Sequence, residues 1–348
     1  MTQRIAILGA GANGASIGAD LTNAGLDVTL IEQWPAHVEA MRANGLRVNM
    51  PGESVLTRVD VRHLCEVAEL RGTFDVVLML MKAYDSTWAA QLIEPYLAAD
   101  GLLVGVQNGM TVDAIAGVVG PERTLGCVIE ITSMMFEPGV VERHSPPPRS
   151  WFAVGSIDDA TRGREEEVAS LLRHVGKVDV VDDIRAAKWM KLVSNSTTLV
   201  TTAILGLPMV EAAAIPEMRQ FMLRCGQEAL DATVGLGNPI LPIFGLPADA
   251  LDQPGREVEI LLDTLLGGFV MNDSKTTILQ DWIKHRRSEV DDLNGRVVAT
   301  HRQLGSDAPA NAAVVEFAHR IERRELEPGL HNLSGLLELA AAPIPPAV

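Results

Sequence analysis

The 348-residue sequence predicts an α/β N-terminal half followed by an all-helical C-terminal half. In the first half, short β-branched runs alternate with stretches of helical periodicity, the pattern of a parallel sheet covered by helices. From Asp183 onward the strand-like runs disappear and long helical periods replace them. The length suits two domains, because a single hydrophobic core rarely grows beyond about 250–300 residues.

The change in pattern near Asp183 sets the predicted domain boundaries. They give an N-terminal α/β domain of residues 1–183 and a helical domain of residues 184–340. Residues 341–348, rich in Pro and Ala, are predicted to be a tail.

In the first half, apolar runs too short for core helices are predicted to be strands. These strands are Arg4–Leu8, Asp27–Ile31, Asp75–Met81, Leu102–Val106, Thr124–Ile129, Trp151–Val154 and Lys177–Val181. Helices are predicted at Ala12–Ala24, which ends at Gly25, and at Thr161–His174. A Pro-rich break at His144–Pro148 separates the fifth strand from the sixth.

In the second half, apolar residues recur at helical spacing over five segments. The predicted helices are Ile184 to about Ile204, Pro216–Val234, Val258–Leu266, Ser274–Gln303 and Ala308–Arg324. The segment Pro239–Pro254 is rich in Pro and Gly and is predicted to be a loop.

The composition is that of an ordinary globular protein, with 47% apolar and 21% charged residues. The net charge of −16 disfavours nucleic acid and anionic membranes as partners, because such a surface repels phosphate groups. No apolar run has the length of a membrane span or the flanks of a signal peptide, so we expect a cytoplasmic protein. Its three cysteines lack metal-ligand spacing and are predicted to be buried thiols.

A glycine-rich segment follows the first predicted strand directly. Gly9-Ala10-Gly11-Ala12-Asn13-Gly14 fits G-x-G-x-x-G and leads into the first predicted helix. In such a loop one glycine allows the tight turn, the next lets the backbone approach a pyrophosphate, and the last allows close helix packing. The context predicts a Rossmann-type dinucleotide-binding domain with Gly9, Gly11, Ala12, Asn13 and Gly14 at the cofactor. The alternative is a glycine-rich turn without a ligand.

The end of the second predicted strand bears on the choice of cofactor. Glu32 lies there, about 20 residues after the glycines, where a carboxylate can accept a hydrogen bond from the ribose 2′-hydroxyl. The same carboxylate would repel a 2′-phosphate, and the next basic residue is Arg42. The sequence therefore favours NADH and leaves NADPH open. The alternative is that Glu32 is a solvated strand end.

Polar residues follow two further predicted strands. Lys82 comes after Asp75–Met81, and Gln107-Asn108-Gly109 comes after Leu102–Val106. Ligands of parallel α/β sheets bind at the carboxyl ends of the strands, so Lys82 and Asn108 are predicted to lie at the cofactor. Taken alone, they also suit a surface lysine and an ordinary turn.

The helical half holds two further candidate clusters. Lys191 and Asn195 are four residues apart and share one helix face, within a run of helix-disfavouring polar residues from Ser194 to Thr198 that suggests a polar pocket. Further polar residues recur at helical spacing in the predicted helix Ser274–Gln303. They are Ser274, Thr277, Asp281, His285 and Glu289. From spacing alone, Glu289 is better explained as an exposed acid beside two arginines.

Together these residues resemble the ketopantoate reductase (2-dehydropantoate 2-reductase) family, from the glycine loop to about Ala318. The resemblance is carried by the glycine loop, Lys82, Gln107-Asn108-Gly109, the Lys191/Asn195 pair, Thr277–Asp281 and Ser288–Asp291. It implies an NAD(P)-dependent oxidoreductase acting on CH–OH groups in pantothenate biosynthesis, and a homodimer. In that family the lysine matching Lys191 is the general acid and the acid matching Glu289 binds the substrate hydroxyl. The residues matching Asn108, Asn195 and Thr277 contact the substrate.

Three features depart from the family pattern. Leu199 stands where a second asparagine is common, Glu32-Gln33 stands where NADPH-dependent members carry a basic residue, and Gly237–Gly268 is longer than in compact members. They point to a related hydroxyacid dehydrogenase acting on a different small 2-keto acid as an alternative to ketopantoate reduction. The sequence also leaves open a β-hydroxyacid dehydrogenase, which carries a K-x-x-x-N pair as well, and a non-catalytic NADH sensor.

Overall fold

The computed structural model describes residues 3–342, so positions 343–348 of the predicted tail lie outside the described residues. The chain forms two compact units, Met1–Ala187 and Lys188–Val348. A helix begins at Ile184, and the division between the units falls inside it. The predicted domain boundary at Asp183 stays a prediction.

The first unit contains two sheets. In chain order, the strands described there are β1 (Arg4–Leu8), β2 (Asp27–Glu32), β3 (Leu46–Met50), β4 (Glu53–Thr57), β5 (Asp60–His63), β6 (Phe74–Met79), β7 (Leu97–Gly105), β8 (Thr124–Glu130), β9 (Ser133–Met134), β10 (Val140–Arg143), β11 (Trp151–Ser156) and β12 (Lys177–Val180). The seven strands predicted from the sequence are all confirmed, with ends shifted by a few residues.

The larger sheet has the strand order β12-β11-β8-β7-β6-β1-β2-β5. From β5 to β8 all neighbours are parallel, while β11 pairs antiparallel with β8 and parallel with β12. The order β5-β2-β1-β6-β7-β8 is the doubly wound order of dinucleotide-binding sheets, and the direction of winding reverses beside β1. The predicted Rossmann-type architecture is therefore confirmed.

The sheet is buried on both faces, as its apolar strands require. Alternate residues of β1 belong to different cores: Ile5 and Ile7 pack into one, and Ala6 and Leu8 into the other. Helices cover the two faces of the sheet. They are α1 (Ala12–Asn23), α2 (Pro35–Asn44), α3 (Ser86–Ile93), α4 (Val112–Val119) and α5 (Glu165–Leu172).

A second sheet, of order β4-β3-β10-β9, was not predicted. Its hairpin β3–β4 turns at Pro51-Gly52, a dipeptide typical of turns, where Gly52 has φ 88°. The predicted helix Thr161–His174 was wrong at its start, since a separate short turn at Asp159–Thr161 precedes α5. Gly163, at φ 87°, separates that turn from the helix.

Within its described residues 188–342 the second unit contains helices and no strand, as predicted. The helices are α6 (Ile184–Ile204, which begins in the first unit), α7 (Met209–Ala213), α8 (Pro216–Gly235), α9 (Glu257–Gly268), α10 (Thr277–Ile283), α11 (Asn294–Gln303), α12 (Pro309–Glu322) and α13 (Leu333–Ala341). The segment Pro239–Pro254 is a loop, as predicted. No helix within residues 3–342 is long and apolar enough to cross a membrane.

The predicted single helix Ser274–Gln303 was wrong. It is divided into α10 and α11, because His285 adopts the left-handed region at φ 54° and ends α10. The Arg286 N–H donates to Asp281 O at 2.8 Å and the His285 N–H to Trp282 O at 3.0 Å, which are the two bonds of a Schellman cap. Glu289 consequently lies in the segment between the helices, and not at helical spacing from Thr277.

Candidate active site

Two glycines of the first loop are required by the protein's own packing. Gly9 has φ 95°, and a Cβ there would lie 2.8 Å from the backbone carbon of Leu80. A Cβ on Gly14 would lie 2.1 Å from the carbonyl oxygen of Gly9. The loop therefore turns tightly against β6 while α1 starts close above it, as the motif predicts.

Gly11 is different, because a Cβ there would meet no protein atom within 4 Å. It caps α1 without a side-chain hydrogen bond, and the first turn of that helix carries no acidic residue. Space beside the backbone and N–H groups at a helix start suit a pyrophosphate. The residues present therefore fit a dinucleotide, and Ala12 and Asn13 stand at the start of the helix that would face it.

The glycine loop is supported by two residues that the sequence analysis missed. The His37 ring, fully buried, accepts from the Gly139 N–H at Nδ1 over 2.8 Å, so its proton lies on Nε2, which donates to Ala10 O at 3.1 Å. Burial lowers the pKa of His37 to about 4. The Ser133 hydroxyl donates to Asn13 Oδ1. Both supports involve the second sheet or its surroundings, so no local sequence signal marks them.

Glu32 ends β2 and is buried, with 6% of its surface exposed. Its Oε1 accepts from the Trp34 N–H at 2.8 Å, which orients the carboxylate at the strand end. Its neighbour Ile31 accepts from the Gly9 N–H at 2.9 Å, so Glu32 follows a residue bonded to the glycine loop.

Two arginines, one on the following helix and one on the neighbouring strand, have acidic neighbours. Arg42 donates to Glu39, to Glu66 and to the Val61 carbonyl oxygen. Arg62, paired with Ile31 across the sheet, has its Nε 3.4 Å from Asp60.

Cys65 is exposed and lies in the helical turn Leu64–Glu69, which follows the edge strand β5. The prediction of three buried thiols was therefore wrong for Cys65.

Lys82 and Asn108 follow adjacent strands at the edge that carries the glycine loop. The backbone bonding continues beyond β6 and β7, with Leu80 N–H donating to Leu8 O at 2.8 Å and Val106 N–H to Met79 O at 3.1 Å. Both Lys82 and Asn108 are half-buried.

The turn that carries Asn108 is fixed by its neighbours. Gln107 donates to Ser86 Oγ at 3.0 Å and accepts from Thr111 Oγ1 at 3.2 Å. Gly109 completes the turn at φ 76°. The loops that follow β1, β6 and β7 therefore lie side by side at one edge of the sheet in the first unit.

In the helical unit, Lys191 and Asn195 are both buried on α6, with 7% and 2% of their surfaces exposed. The Lys191 Nζ lies 5.1 Å from the ring centroid of Phe244, within the range of a cation–π contact. The loop that carries Phe244 joins α8 to α9 and gave no sequence signal for this contact.

Hydrogen bonds within α6 account for part of its run of polar residues. The hydroxyls of Thr197, Thr198, Thr201 and Thr202 each donate to a carbonyl four residues earlier in the same helix. The hydroxyl groups of these threonines therefore have hydrogen-bond acceptors within α6, and their burial does not require a polar pocket.

Two hydrogen bonds tie the remaining candidates to α6. Thr276, which caps α10 before Thr277, donates to Leu199 O at 2.9 Å. Asn294, which begins α11 after the segment holding Glu289, donates to Ser196 O at 3.2 Å. Both segments are thereby anchored to the helix that carries Lys191 and Asn195.

Glu289 itself is buried, with 4% of its surface exposed, so its interpretation as an exposed acid is corrected. Burial, followed by the charge of Glu289, raises the pKa of Asp292. Ser288 is fixed by Glu322, whose Oε1 accepts from its N–H at 2.9 Å and its hydroxyl at 2.6 Å. Residues 3–342 contain no cluster of His, Cys, Asp or Glu that suits a metal ion.

Comparisons with known proteins agree over nearly the whole chain. Residues 5–156 match the family model "Ketopantoate reductase PanE/ApbA", and residues 183–322 match the model of its C-terminal domain. A 2-dehydropantoate 2-reductase from Mesorhizobium japonicum is 28% identical over 345 residues, covering 91% of this chain and 97% of that protein.

Solved structures of similar fold include two instructive ones. A PanE/ApbA family ketopantoate reductase from Ralstonia eutropha JMP134 has a TM-score of 0.76 and 26% identity, with 93% of this chain and 99% of that chain covered. D-mandelate dehydrogenase in a ternary structure with NADH and anilino(oxo)acetate has a TM-score of 0.80 and 21% identity, with 92% and 99% covered.

Proposed function

Because this chain belongs to the PanE/ApbA family of ketopantoate reductases, we propose that it reduces a small 2-keto acid to the 2-hydroxy acid with a nicotinamide dinucleotide. Membership in the family makes it a ketopantoate-reductase-like oxidoreductase that acts on a small molecule. The substrate, the preference for NADH and the roles of single residues are the finer part of the proposal.

The observation that carries the proposal is the burial of Lys191 beside Asn195 on one face of α6. Lysine is rarely buried unless its ammonium is used or paired, because desolvation of the charge is costly. The Phe244 ring lies beside the ammonium, with its centroid 5.1 Å from Nζ. An ammonium has three N–H donors, so it can also bind a substrate oxygen.

When bound, the reduced cofactor supplies the hydride that adds to the carbonyl carbon of the substrate. Lys191 donates a hydrogen bond to the carbonyl oxygen, stabilises the negative charge that develops there, and then gives it a proton. Asn195, one helical turn further on, orients the lysine or the substrate. Glu289 accepts a hydrogen bond from a substrate hydroxyl, and Asn108 and Thr277 are proposed as further substrate contacts.

We further propose that NADH is preferred over NADPH. The buried Glu32 carboxylate suits a ribose 2′-hydroxyl and repels a 2′-phosphate. Arg42 is already held by Glu39 and Glu66, which disfavours it as a partner for that phosphate. Lys82 is proposed as a cofactor contact at the neighbouring strand end.

One specific observation favours a substrate other than ketopantoate. Leu199, one helical turn beyond Asn195, presents an apolar side chain where the family often carries an asparagine. Loss of that polar group removes a hydrogen-bond partner without altering the reductase machinery. A hydroxyacid dehydrogenase of the same family, acting on a different 2-keto acid, is therefore the second candidate.

The test is oxidation of NADH and NADPH by the purified protein with ketopantoate and with a panel of different 2-keto acids. We expect turnover of at least one 2-keto acid, with the higher kcat/KM for NADH. Gly11→Ala is the control, because its Cβ would meet no protein atom within 4 Å yet would enter the space proposed for the pyrophosphate. Cofactor binding without turnover of any 2-keto acid would contradict the proposal and favour an NADH sensor.

A further inference from the structure

An aromatic pair lies beside the proposed general acid. Phe244 is 6% exposed, and its ring centroid lies 5.1 Å from Lys191 Nζ. Phe269 is 8% exposed, and its ring centroid lies 5.3 Å from that of Phe244, with an angle of 42° between the ring planes. Phe269 therefore extends the aromatic surface that begins at the ring beside Lys191. A tilted arrangement at this separation is a favourable aromatic contact.

The backbone holds Phe244 in place against its own preference. Phe244 has φ 65°, in the left-handed region that residues with a Cβ avoid, and Gly245 follows at φ 69°. The Leu246 N–H closes this turn on Ile243 O at 3.2 Å, and Ile243 is 1% exposed. An unfavourable conformation retained by a well-anchored turn is typical of functional sites.

We propose that Phe244 and Phe269 form an apolar wall that selects 2-keto acids carrying a bulky apolar or aromatic group on the keto carbon. This inference rests on the proposed function, and it names the substrate class for that same site. A carbonyl oxygen bound about 3 Å from Nζ, on the flank of the ammonium next to the ring, would bring the groups on the carbonyl carbon within van der Waals reach of that ring, whose centroid lies 5.1 Å from the same nitrogen.

The helix face next to the lysine supports the same substrate class. Lys191, Asn195 and Leu199 follow each other at four-residue spacing, so they form one stripe along α6. The stripe changes from cation to amide to an apolar side chain. A substrate aligned along it meets polar groups at its keto end and an apolar group further on, and the two rings add apolar surface beside the keto end.

The experiment measures kcat/KM with NADH for phenylglyoxylate, 3-methyl-2-oxobutanoate, ketopantoate and pyruvate, in the wild type and in Phe244→Ala and Phe244→Leu. The wild type is expected to prefer the bulky acids over pyruvate. Phe244→Ala should lower kcat/KM for the bulky acids by roughly 10- to 100-fold and for pyruvate by much less, since a lost pocket contact acts on the group that it touched. Phe244→Leu, which keeps apolar volume without a ring, should lie between.

A matched control is available on α12, where Phe317 is 5% exposed and lies 5.6 Å beneath the guanidinium of Arg320. Phe317→Leu removes the same kind of ring from beneath a cation elsewhere, and it should leave the order of substrates unchanged. The KM for NADH and the thermal unfolding midpoint show whether each variant is folded.

The outcomes separate the two proposals. An equal loss for all four acids in Phe244→Ala would overturn the inference, since the ring would then only position Lys191. A wild type that prefers pyruvate would overturn it too, while leaving the reductase function intact. No turnover of any acid by a wild type that binds NADH would overturn the proposed function itself.

Discussion

At the residue scale, the three glycines of the loop have different reasons to be glycine: two are required by contacts within the protein, and one leaves space for a ligand. Gly9 and Gly14 are fixed by protein atoms closer than 3 Å to any added Cβ, whereas no protein atom constrains Gly11 in this way. The spacing predicted all three from the sequence, because the motif is local. His37 and Ser133 were not predicted, since each reaches the loop from distant positions in the chain.

His37 gives a prediction about acid stability. Its pKa is about 4 in the fold, because burial disfavours the charged ring, against 6.5 in the unfolded chain. Only the unfolded chain takes up this proton as the pH falls from 6.5 towards 4, so the free energy of unfolding should drop across that window by about 2–4 kcal/mol. Above pH 6.5 the contribution is fully present. Denaturant unfolding of the wild type and of His37→Gln between pH 4 and 7 measures it.

In that comparison His37→Gln should have the shallower slope, because glutamine does not titrate. The exposed His174, changed to Gln, controls for the substitution. Asp20 and Asp292, whose pKa values burial raises, act with the opposite sign in both proteins and cancel in the difference. Identical slopes for His37→Gln and the wild type would refute the account of this residue.

Glu32 gives a prediction about the cofactor. Glu32→Gln keeps an oxygen for the Trp34 N–H but loses the charge, so it should weaken NADH binding by roughly 10- to 100-fold. The affinity for NADPH should fall less or rise, and kcat at saturating NADH should stay near that of the wild type. Titration of both cofactors against protein fluorescence makes the measurement, and unchanged NADH affinity would exclude the ribose contact.

At the element scale, the parallel strands were predictable and the second sheet was not. Buried strands such as β6 are continuous apolar runs between polar flanks, which is a strong local signal. Strands β3 and β4 are short and partly exposed, and β9 has two residues, so their apolar content is too low to stand out. Pairing of β3 with β10, about ninety residues later, is a tertiary event that no local pattern records.

The divided helix at His285 shows a second limit. A Schellman cap usually has glycine or asparagine at its left-handed position, which makes it recognisable in a sequence, whereas here that position is histidine. The apolar periodicity continued through the cap and predicted one long helix. The prediction placed Glu289 on a helix face, whereas the structure places it in the loop between α10 and α11. The resemblance to the family still identified it as a candidate site residue.

Arg143 gives a prediction at this scale, because it joins elements of the first unit. Its fully buried guanidinium bonds Asp20 on α1, Ser145 O at 2.8 Å and Val175 O at 2.9 Å. Asp20→Asn leaves this charge buried without its counter-ion, so it should lower the free energy of unfolding by about 3–5 kcal/mol. Denaturant unfolding of Asp20→Asn, Arg143→Met and the double variant measures it.

The double variant should lose less than the sum of the single losses, because the two residues share one interaction. Glu166→Gln, which breaks the exposed pair with Arg173, is the matched control and should change the stability little. Additive losses at Asp20 and Arg143 would contradict a coupled buried pair.

At the scale of the whole molecule, composition and periodicity predicted an α/β unit and a helical unit. The net charge of −16 argues against nucleic acid as a partner, and it is compatible with an anionic substrate because one local basic group suffices. The homodimer and the cytoplasmic location stay predictions. The substrate could not be derived from the sequence, because specificity depends on contacts such as Phe244 with Lys191, which only the folded loop creates.

The most direct test of the central claim is single-turnover oxidation of protein-bound NADH after mixing with the preferred 2-keto acid, in the wild type and in Lys191→Met. Methionine keeps most of the side-chain volume and removes the ammonium. We predict NADH affinity like that of the wild type and an oxidation rate lower by roughly 10²–10⁴-fold, the usual loss for a missing general acid. An oxidation rate in Lys191→Met equal to that of the wild type would contradict the assignment of Lys191 and the mechanism built on it.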